Sequence, residues 1–147
     1  MLYIRDMWLA MKNVIRTARK TINKNLEPLN LSGAEVDMLY ILLTGSNGLR
    51  QEQLAEQLDI GKAAASRVID SLEAKGYVMR MREDEDKRAY RILLTDTAYT
   101  AEESIKAVYD NLYALVRKGI ADEDVLHVGH LLSRIVDNLN GGTENVD

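Results

Sequence analysis

No cysteine occurs in this 147-residue chain, which excludes disulfides, thiolate metal clusters and thiol-based redox sensing. Proline occurs once, at Pro28, where the first helix should end. No apolar run approaches the roughly 18–20 residues of a membrane span, and the N-terminus lacks the layout of a secretory signal. The chain is therefore expected to be soluble and cytoplasmic, with no membrane partner. Catalytic patterns are missing too: there is no G-x-S-x-G, no phosphate loop, no zinc-protease motif and no nucleophile–base pair. Neither enzymatic activity nor a cofactor is expected. The two histidines, His127 and His130, stand three apart near Glu123 and Asp124. Without a third ligand fixed by a motif they read as unliganded side chains, not as a zinc site.

An overall positive charge is also lacking, since the net charge is −4. Its distribution matters more than the total for a polyanionic partner. Residues 1–24 hold six Lys/Arg against one Asp, and residues 62–91 hold eight Lys/Arg against six Asp/Glu. The acidic excess is confined to residues 25–61 and 92–147. Two local basic regions thus sit in an acidic remainder, which would suppress non-specific attachment to nucleic acid.

The stretch from Leu49 to Thr95 organises the rest. Leu54, Ala55 and Leu58 give a short helix an apolar face, and Asp59-Ile60-Gly61 breaks it, with glycine expected to supply the unusual turn conformation. A second helix, from Lys62 to about Lys75, carries Ala65, Val68, Ile69 and Leu72 at helical spacing. Its opposite face carries Lys62, Ala63, Ser66, Arg67 and Asp70. Gly76 should end that helix. Tyr77 to Arg82 and Tyr90 to Leu94 then alternate with period two around a polar loop, which argues a β-hairpin. A helix-turn-helix followed by such a hairpin is a winged helix, whose second helix can enter a DNA major groove.

Upstream, Met1 to Leu26 reads as a helix with the apolar stripe Ile4, Met7, Trp8, Met11, Ile15, Ala18 and Ile22. Ser32 and Glu35 fit a capping box, and the helix after it should turn Val36, Leu39, Tyr40 and Leu43 inward. Leu49-Arg50 is a candidate third strand beside the hairpin. Downstream, Thr95 or Asp96 should cap one long helix to about Lys118, with Ala101, Ile105, Val108, Leu112 and Leu115 on one face. Gly119 breaks it. Asp122 should cap a last helix whose Val125, Val128, Leu132, Ile135 and Leu139 step by three and four. Residues 140–147 read as a polar tail.

The expected fold is therefore mainly α with a small antiparallel β-wing, a winged helix-turn-helix flanked by N- and C-terminal helices. Residues 1–147 form one domain, with a DNA-binding lobe at 32–95 and a helical dimerisation lobe from 1–26 and 96–140. The terminal helices carry more apolar surface than so small a winged helix can cover. Pairing with the same helices of a second copy solves this, and a two-fold dimer presents two recognition helices to two half-sites of a palindrome. The expected contacts are Ile4, Met7, Trp8, Leu112, Leu115, Val128, Leu132, Ile135 and Leu139. A monomer whose helices bury one another is the alternative.

These features coincide in a known family. The run Gln53-Leu54-Ala55-Glu56-Gln57-Leu58, the segment Ser66 to Val78 with its LE-x-KG-x-V core, Arg82, the wing signature Asp86-Lys87-Arg88-Ala89 and the closing Leu94-Thr95 together resemble the multiple-antibiotic-resistance regulator (MarR) family. The resemblance implies a homodimeric, sequence-specific DNA-binding transcriptional regulator, most often a repressor, controlled by a small aromatic or amphipathic effector. Double-stranded DNA with a palindromic operator is the implied partner. The implied DNA contacts are Gln51, Lys62, Ala63, Ala64, Ser66, Arg67, Arg82, Asp86, Lys87 and Arg88. The effector pocket would be lined by Met11, Ile15, Met38 and Tyr109. One branch of the family senses peroxide through cysteine, a route closed to this chain. Where the family commonly places polar side chains, this chain has Ala63, Ala64 and Ala65, which can touch a thymine methyl but neither donate nor accept a hydrogen bond. The different-class alternative is a winged-helix interaction module that no longer binds DNA.

Arg88, two residues after Asp86, matches the family's wing arginine, and a guanidinium is drawn into a narrow minor groove by the negative potential there. Glu83, Asp84 and Glu85 precede that pair and would repel phosphates unless splayed into solvent or bound to a cation. Replacing Arg88 by Ala should weaken binding of a cognate duplex by about 1–3 kcal/mol. Fluorescence anisotropy checks this, and undiminished affinity would remove Arg88 from the interface.

Overall fold

The computed structural model describes residues 3–45, 47–83 and 89–141. The chain begins with α1, Ile4–Leu26, followed by one 3₁₀ turn, Glu27–Leu29, where Pro28 stands. Proline fixes φ and suits the opening of a tight helical turn. The Ser32 hydroxyl accepts the Glu35 backbone N–H at 3.2 Å while the Glu35 carboxylate accepts the Ser32 N–H at 3.3 Å. This closes the capping box and starts α2, Gly33–Thr44. The inward face of α2 is Val36, Met38, Leu39 and Leu42, each at most 1% exposed, whereas Tyr40 and Leu43 are only partly buried. The sequence expectation was right at Val36 and Leu39 but named Tyr40 and Leu43 where Met38 and Leu42 are the buried pair. From Val36 to Leu43 this helix is apolar except at Asp37, so periodicity alone could not select the buried side. Its neighbours α1, α4 and β3 make that selection.

Strand β1, Leu49–Arg50, leads into α3, Gln51–Gln57, and α4 spans Lys62–Ala74. Between the helices, Asp59 takes the left-handed φ of 52°, while Gly61 is an extended N-cap at φ −67°. This corrects the expectation that Gly61 supplies the unusual conformation. Aspartate tolerates the left-handed region better than most residues. Gly76, at φ 82°, ends α4 as expected. Strands β2, Val78–Arg82, and β3, Tyr90–Leu94, pair antiparallel with Arg80 opposite Ile92, and β1 joins the far side of β3 with Leu49 opposite Ile92. The sheet order is β1-β3-β2, so the two-residue third strand is present. Residues 84–88, including the expected wing contacts Asp86, Lys87 and Arg88, lie outside the described residues.

After the sheet the long helix is interrupted: α5 covers Asp96–Thr100 and α6 covers Glu102–Arg117. At Ala101 the backbone N–H is shared between the carbonyls of Thr97 and Ala98, a 3₁₀-like tightening of the ladder. Thr95 does not cap through its side chain. Its hydroxyl donates instead to the carbonyl of Gly76, at 2.6 Å. Gly119, at φ 74°, follows α6, and α7 runs Asp122–Gly141. Asp122 is thus the first residue of α7 rather than its cap, and its carboxylate pairs with Arg117.

One hydrophobic core joins Ile22 and Leu26 of α1, the inner face of α2, Leu54, Ile69, Leu72, Val78, Ile92, Leu94, Ala98, Ile105, Val108 and Tyr109. The chain divides into two compact units, residues 1–112 and 113–147. In the second unit α7 has no buried residue, and Leu126, Val128, Leu131, Leu132, Val136 and Leu139 are all at least 41% exposed. In the first, Ile4, Trp8, Leu9, Val14 and Ile15 of α1 are likewise exposed. Among the described residues no helix is long and apolar enough to cross a membrane.

Nothing lies within 4 Å of a Cβ built at Gly76, so its replacement by Ala isolates the conformational term. The variant should lose about 1–2 kcal/mol of unfolding free energy, the cost of a side chain in the left-handed region. Gly61→Ser should be neutral or gain a few tenths, about the difference between these residues as N-caps. Urea midpoints measure both, and a Gly76→Ala midpoint equal to the parent's would contradict the reading.

Candidate nucleic-acid interface

The α4 stripe decides what this helix presents. Ala65, Ile69 and Leu72 are all 0% exposed, so the opposite side must face out. Lys62, Ala63, Arg67 and Asp70 are exposed there, with Ala64 and Ser66 partly so. The first turns of α4 border a cleft of about 480 Å³ whose lining includes Gln51, Lys62, Ser66, Arg80, Ala89 and Tyr90. Three of the expected contacts, Gln51, Lys62 and Ser66, therefore meet around one cleft. The cleft joins the start of α3, the start of α4 and the sheet.

Three arginines that the sequence reading left without a side-chain role, Arg80, Arg50 and Arg91, hold this arrangement. Arg80 of β2 has a side chain only 17% exposed and pairs with Asp70 at 2.7 Å and Glu73 at 3.3 Å. Its guanidinium also donates to the Ser66 carbonyl at 3.3 Å. The strand is thereby tied along α4, at the edge of its outward face, where Arg80 also borders the cleft. Asp70 and Glu73, three apart on one helix, were the available signal. Sequence order alone could not show that Arg80 reaches back to them.

At the base of the wing, Arg50 donates two hydrogen bonds to Glu83, from Nε at 3.1 Å and from Nη2 at 2.6 Å. Arg91 pairs with the same carboxylate and donates to the Gly48 carbonyl at 2.8 Å. The expectation grouped Glu83 with acids facing phosphate or solvent. It is instead neutralised, with a side chain 12% exposed. The Arg50 hydrogen bond, against some opposing desolvation and aided by the charges of Arg50 and Arg91, holds its carboxyl below the ordinary 4.5. Arg82 donates from Nε to the Tyr90 hydroxyl at 3.1 Å, and its guanidinium lies 5.5 Å from the Tyr90 ring centroid. That stacking holds a cation at the last residue of β2.

The expected effector residues are placed differently. Met38 is fully buried, Ile15 is 70% exposed, and Tyr109 is buried. Tyr109 stacks on Tyr40 with ring centroids 4.0 Å apart and donates its hydroxyl to Asp37. None of these, nor Met11, lines the cleft at α4 or three further cavities of the first unit. Met38 and Tyr109 are built into the core, and Ile15 sits on the exposed face of α1. No group of three metal-ligating side chains occurs among the described residues.

Residues 31–90, which span α2, the helix-turn-helix and the wing, match the model of the MarR family. The chain carries a MarR-family domain. Its fold as a whole is that of MarR-family transcriptional regulators. It is similar to a MarR transcriptional regulator from Methanosarcina mazei Go1, at 26% identity and a TM-score of 0.80 over 90% of this chain and 94% of that one. A MarR protein from Peptoclostridium difficile DA00132 superposes with a TM-score of 0.84 at 21% identity, covering 100% of this chain and 97% of that one. A cysteine-to-serine mutant of MarR from E. coli, solved in complex with operator DNA, matches with a TM-score of 0.78 at 22% identity over 88% of this chain and 92% of that one.

The depressed Glu83 carboxyl has a signed consequence. Its stabilising contribution is fully present above the carboxylate range of the unfolded chain, about 4.3, and is lost as pH falls through the lower folded value. The stability difference between parent and Glu83→Gln should therefore be constant near neutrality and shrink below about pH 4. Carboxyl-detected NMR titration gives the folded value directly, and a Glu83 midpoint at or above 4.5 would contradict the assignment.

Proposed function

We propose that this MarR-family chain is a homodimeric, sequence-specific DNA-binding regulator that acts as a repressor, with α4 in the major groove and the β2–β3 wing at the adjacent minor groove. The observation that carries the reading is the outward face of α4, held by a fully buried stripe on one side and by the Arg80 pairs along its length. A helix so held can offer Lys62, Ala63, Ser66 and Arg67 to a duplex with little ordering cost. A protein of the same fold, the E. coli MarR mutant, was solved with operator DNA, which supports DNA as the partner. Lys62, at the first position of α4, suits a phosphate, while Ser66 and Arg67 suit base edges or phosphates. With Ala63 and Ala64 beside them, hydrogen-bonding readers are few, and recognition rests partly on thymine methyl contacts and duplex shape.

Dimerisation is supported by the faces that the single chain leaves uncovered. Six large apolar side chains on α7 are exposed, with Val128, Leu132, Val136 and Leu139 at helical spacing on one side, and an exposed apolar stripe of this kind suits association. The equivalent face of a second copy covers it without any new partner, and the two-fold axis gives two recognition helices for a palindrome.

Electrophoretic mobility shift with duplexes from the flanks of the chain's own gene tests the proposal. A discrete complex on a palindromic segment, resistant to excess random duplex, is expected. Lys62→Ala should weaken cognate and random duplexes alike and reduce the salt slope by about one unit, whereas Arg67→Ala should cost about 1–3 kcal/mol mainly on the cognate site. Sedimentation of the free protein should give a dimer, dissociated or unfolded by Leu132→Asp. A folded micromolar monomer, or equal affinity for all duplexes, would overturn the reading.

A further inference from the structure

Glu35 is the one charged residue buried among the described residues, at 6% exposure. A capping box does not require a charge at this position, since glutamine closes it equally well. Burying a carboxylate is costly unless it is paired. The partner is Lys75, the C-cap residue of α4, whose Nζ lies 3.0 Å from both carboxylate oxygens and donates to the Asn30 carbonyl at 2.8 Å. Asn30 itself ends the 3₁₀ turn in a left-handed conformation, φ 53°. One ammonium thus joins the turn after α1, the N-terminus of α2 and the C-terminus of α4. Two open clefts border Glu35, one lined in part by Asn30 and Lys75 and the other in part by Arg67 and Ser71. The Lys75 ammonium is the polar tie among these three segments.

The apolar stripe sets the rotation of α4 about its own axis, and Arg80 holds its middle. Neither sets the tilt of the axis as firmly as an anchor at its end. From Lys62 to Lys75 the helix is about 20 Å long, so a tilt of about 3° displaces its first turn by about 1 Å, enough to spoil a hydrogen bond to a base edge. We propose that Lys75 is a positioning residue: held by Glu35 and Asn30, it sets the tilt at which α4 meets DNA, and so sets discrimination between duplexes without touching them. The statement about discrimination rests on the DNA-binding reading above. The statement about tilt does not.

The test uses full-length parent, Lys75→Met, and the double variant Lys75→Met with Glu35→Gln. Three readouts are taken: the urea midpoint, the spin-label distance between cysteines placed at Ala34 and Ala63 and diluted with unlabelled protein, and anisotropy titrations. The titrations use a duplex selected by the parent from a random-sequence library and a scrambled duplex of equal composition. Lys75→Met should lower the midpoint and broaden the distance distribution. It should weaken the selected duplex about tenfold, the loss of one good base contact, with less than about twofold change on the scrambled one, where phosphates dominate. The double variant, with no unpaired buried carboxylate, should recover the midpoint but neither the distribution nor the discrimination. Recovery of all three would make Lys75 a neutraliser of Glu35 and nothing more, and a parent-like distribution in Lys75→Met would overturn the proposal outright. A parent that selects no duplex defeats the DNA reading instead, while the distances still decide the clamp.

Discussion

The burial of one side of α4 is the constraint on which the rest depends. Ala65 is small enough to let α3 and α4 cross closely, and Ile69 and Leu72 fill the space beneath with no exposed surface. Burying two such side chains contributes about 1.5–3 kcal/mol each, and truncating either to alanine costs about 2–5 kcal/mol. That is a large share of the stability of an ordinary domain. Rotation of α4 to hide its polar face would expose this stripe and bury Lys62, Arg67 and Asp70 without partners. The outward presentation of the basic face is therefore a consequence of core packing.

Around that constraint the polar contacts are arranged as restraints on a single helix. Arg80 ties β2 along it, Lys75 ties its end to α2 and the turn before it, and the Thr95 hydroxyl ties the start of α5 to the Gly76 carbonyl that follows it. The Arg50–Glu83–Arg91 cluster does the same for the base of the hairpin. Exposed ion pairs contribute little to stability. In each of these ion pairs one side chain is at most 17% exposed and the partners sit on different elements, so their effect is on where elements sit.

The backbone of this arrangement was legible in the sequence wherever a short-range rule operates. The capping box at Ser32 and Glu35, the left-handed glycine at Gly76, the α4 stripe and the alternation of β2 and β3 all follow from neighbours within four residues. The two-residue strand at Leu49 was legible as well. What could not be read depended on contacts across the chain. The inner face of α2 was assigned correctly at Val36 and Leu39 but not at Met38 and Leu42, because that helix is apolar on most sides and only its neighbours choose among them. The turn conformation fell to Asp59, although Gly61 was the residue better suited to it. The roles of Arg80, Glu83 and Lys75 were hidden because their partners lie 7 to 45 residues away. The site itself was half legible: Gln51, Lys62 and Ser66 do meet at one cleft, while the residues that hold them there carried no local mark. The residues named for an effector pocket lie in the core or on α1, which a motif resemblance cannot distinguish from a ligand-lined wall.

The central claim is that the outward face of α4 reads a duplex. Amide hydrogen exchange of the free protein and of its complex with a duplex selected from a random-sequence library tests this most directly. New protection should concentrate in residues 62–67 and in the two hairpin strands, with α7 unchanged by DNA. Protection confined to α1 or α7, with the first turns of α4 exchanging as in the free protein, would contradict the account.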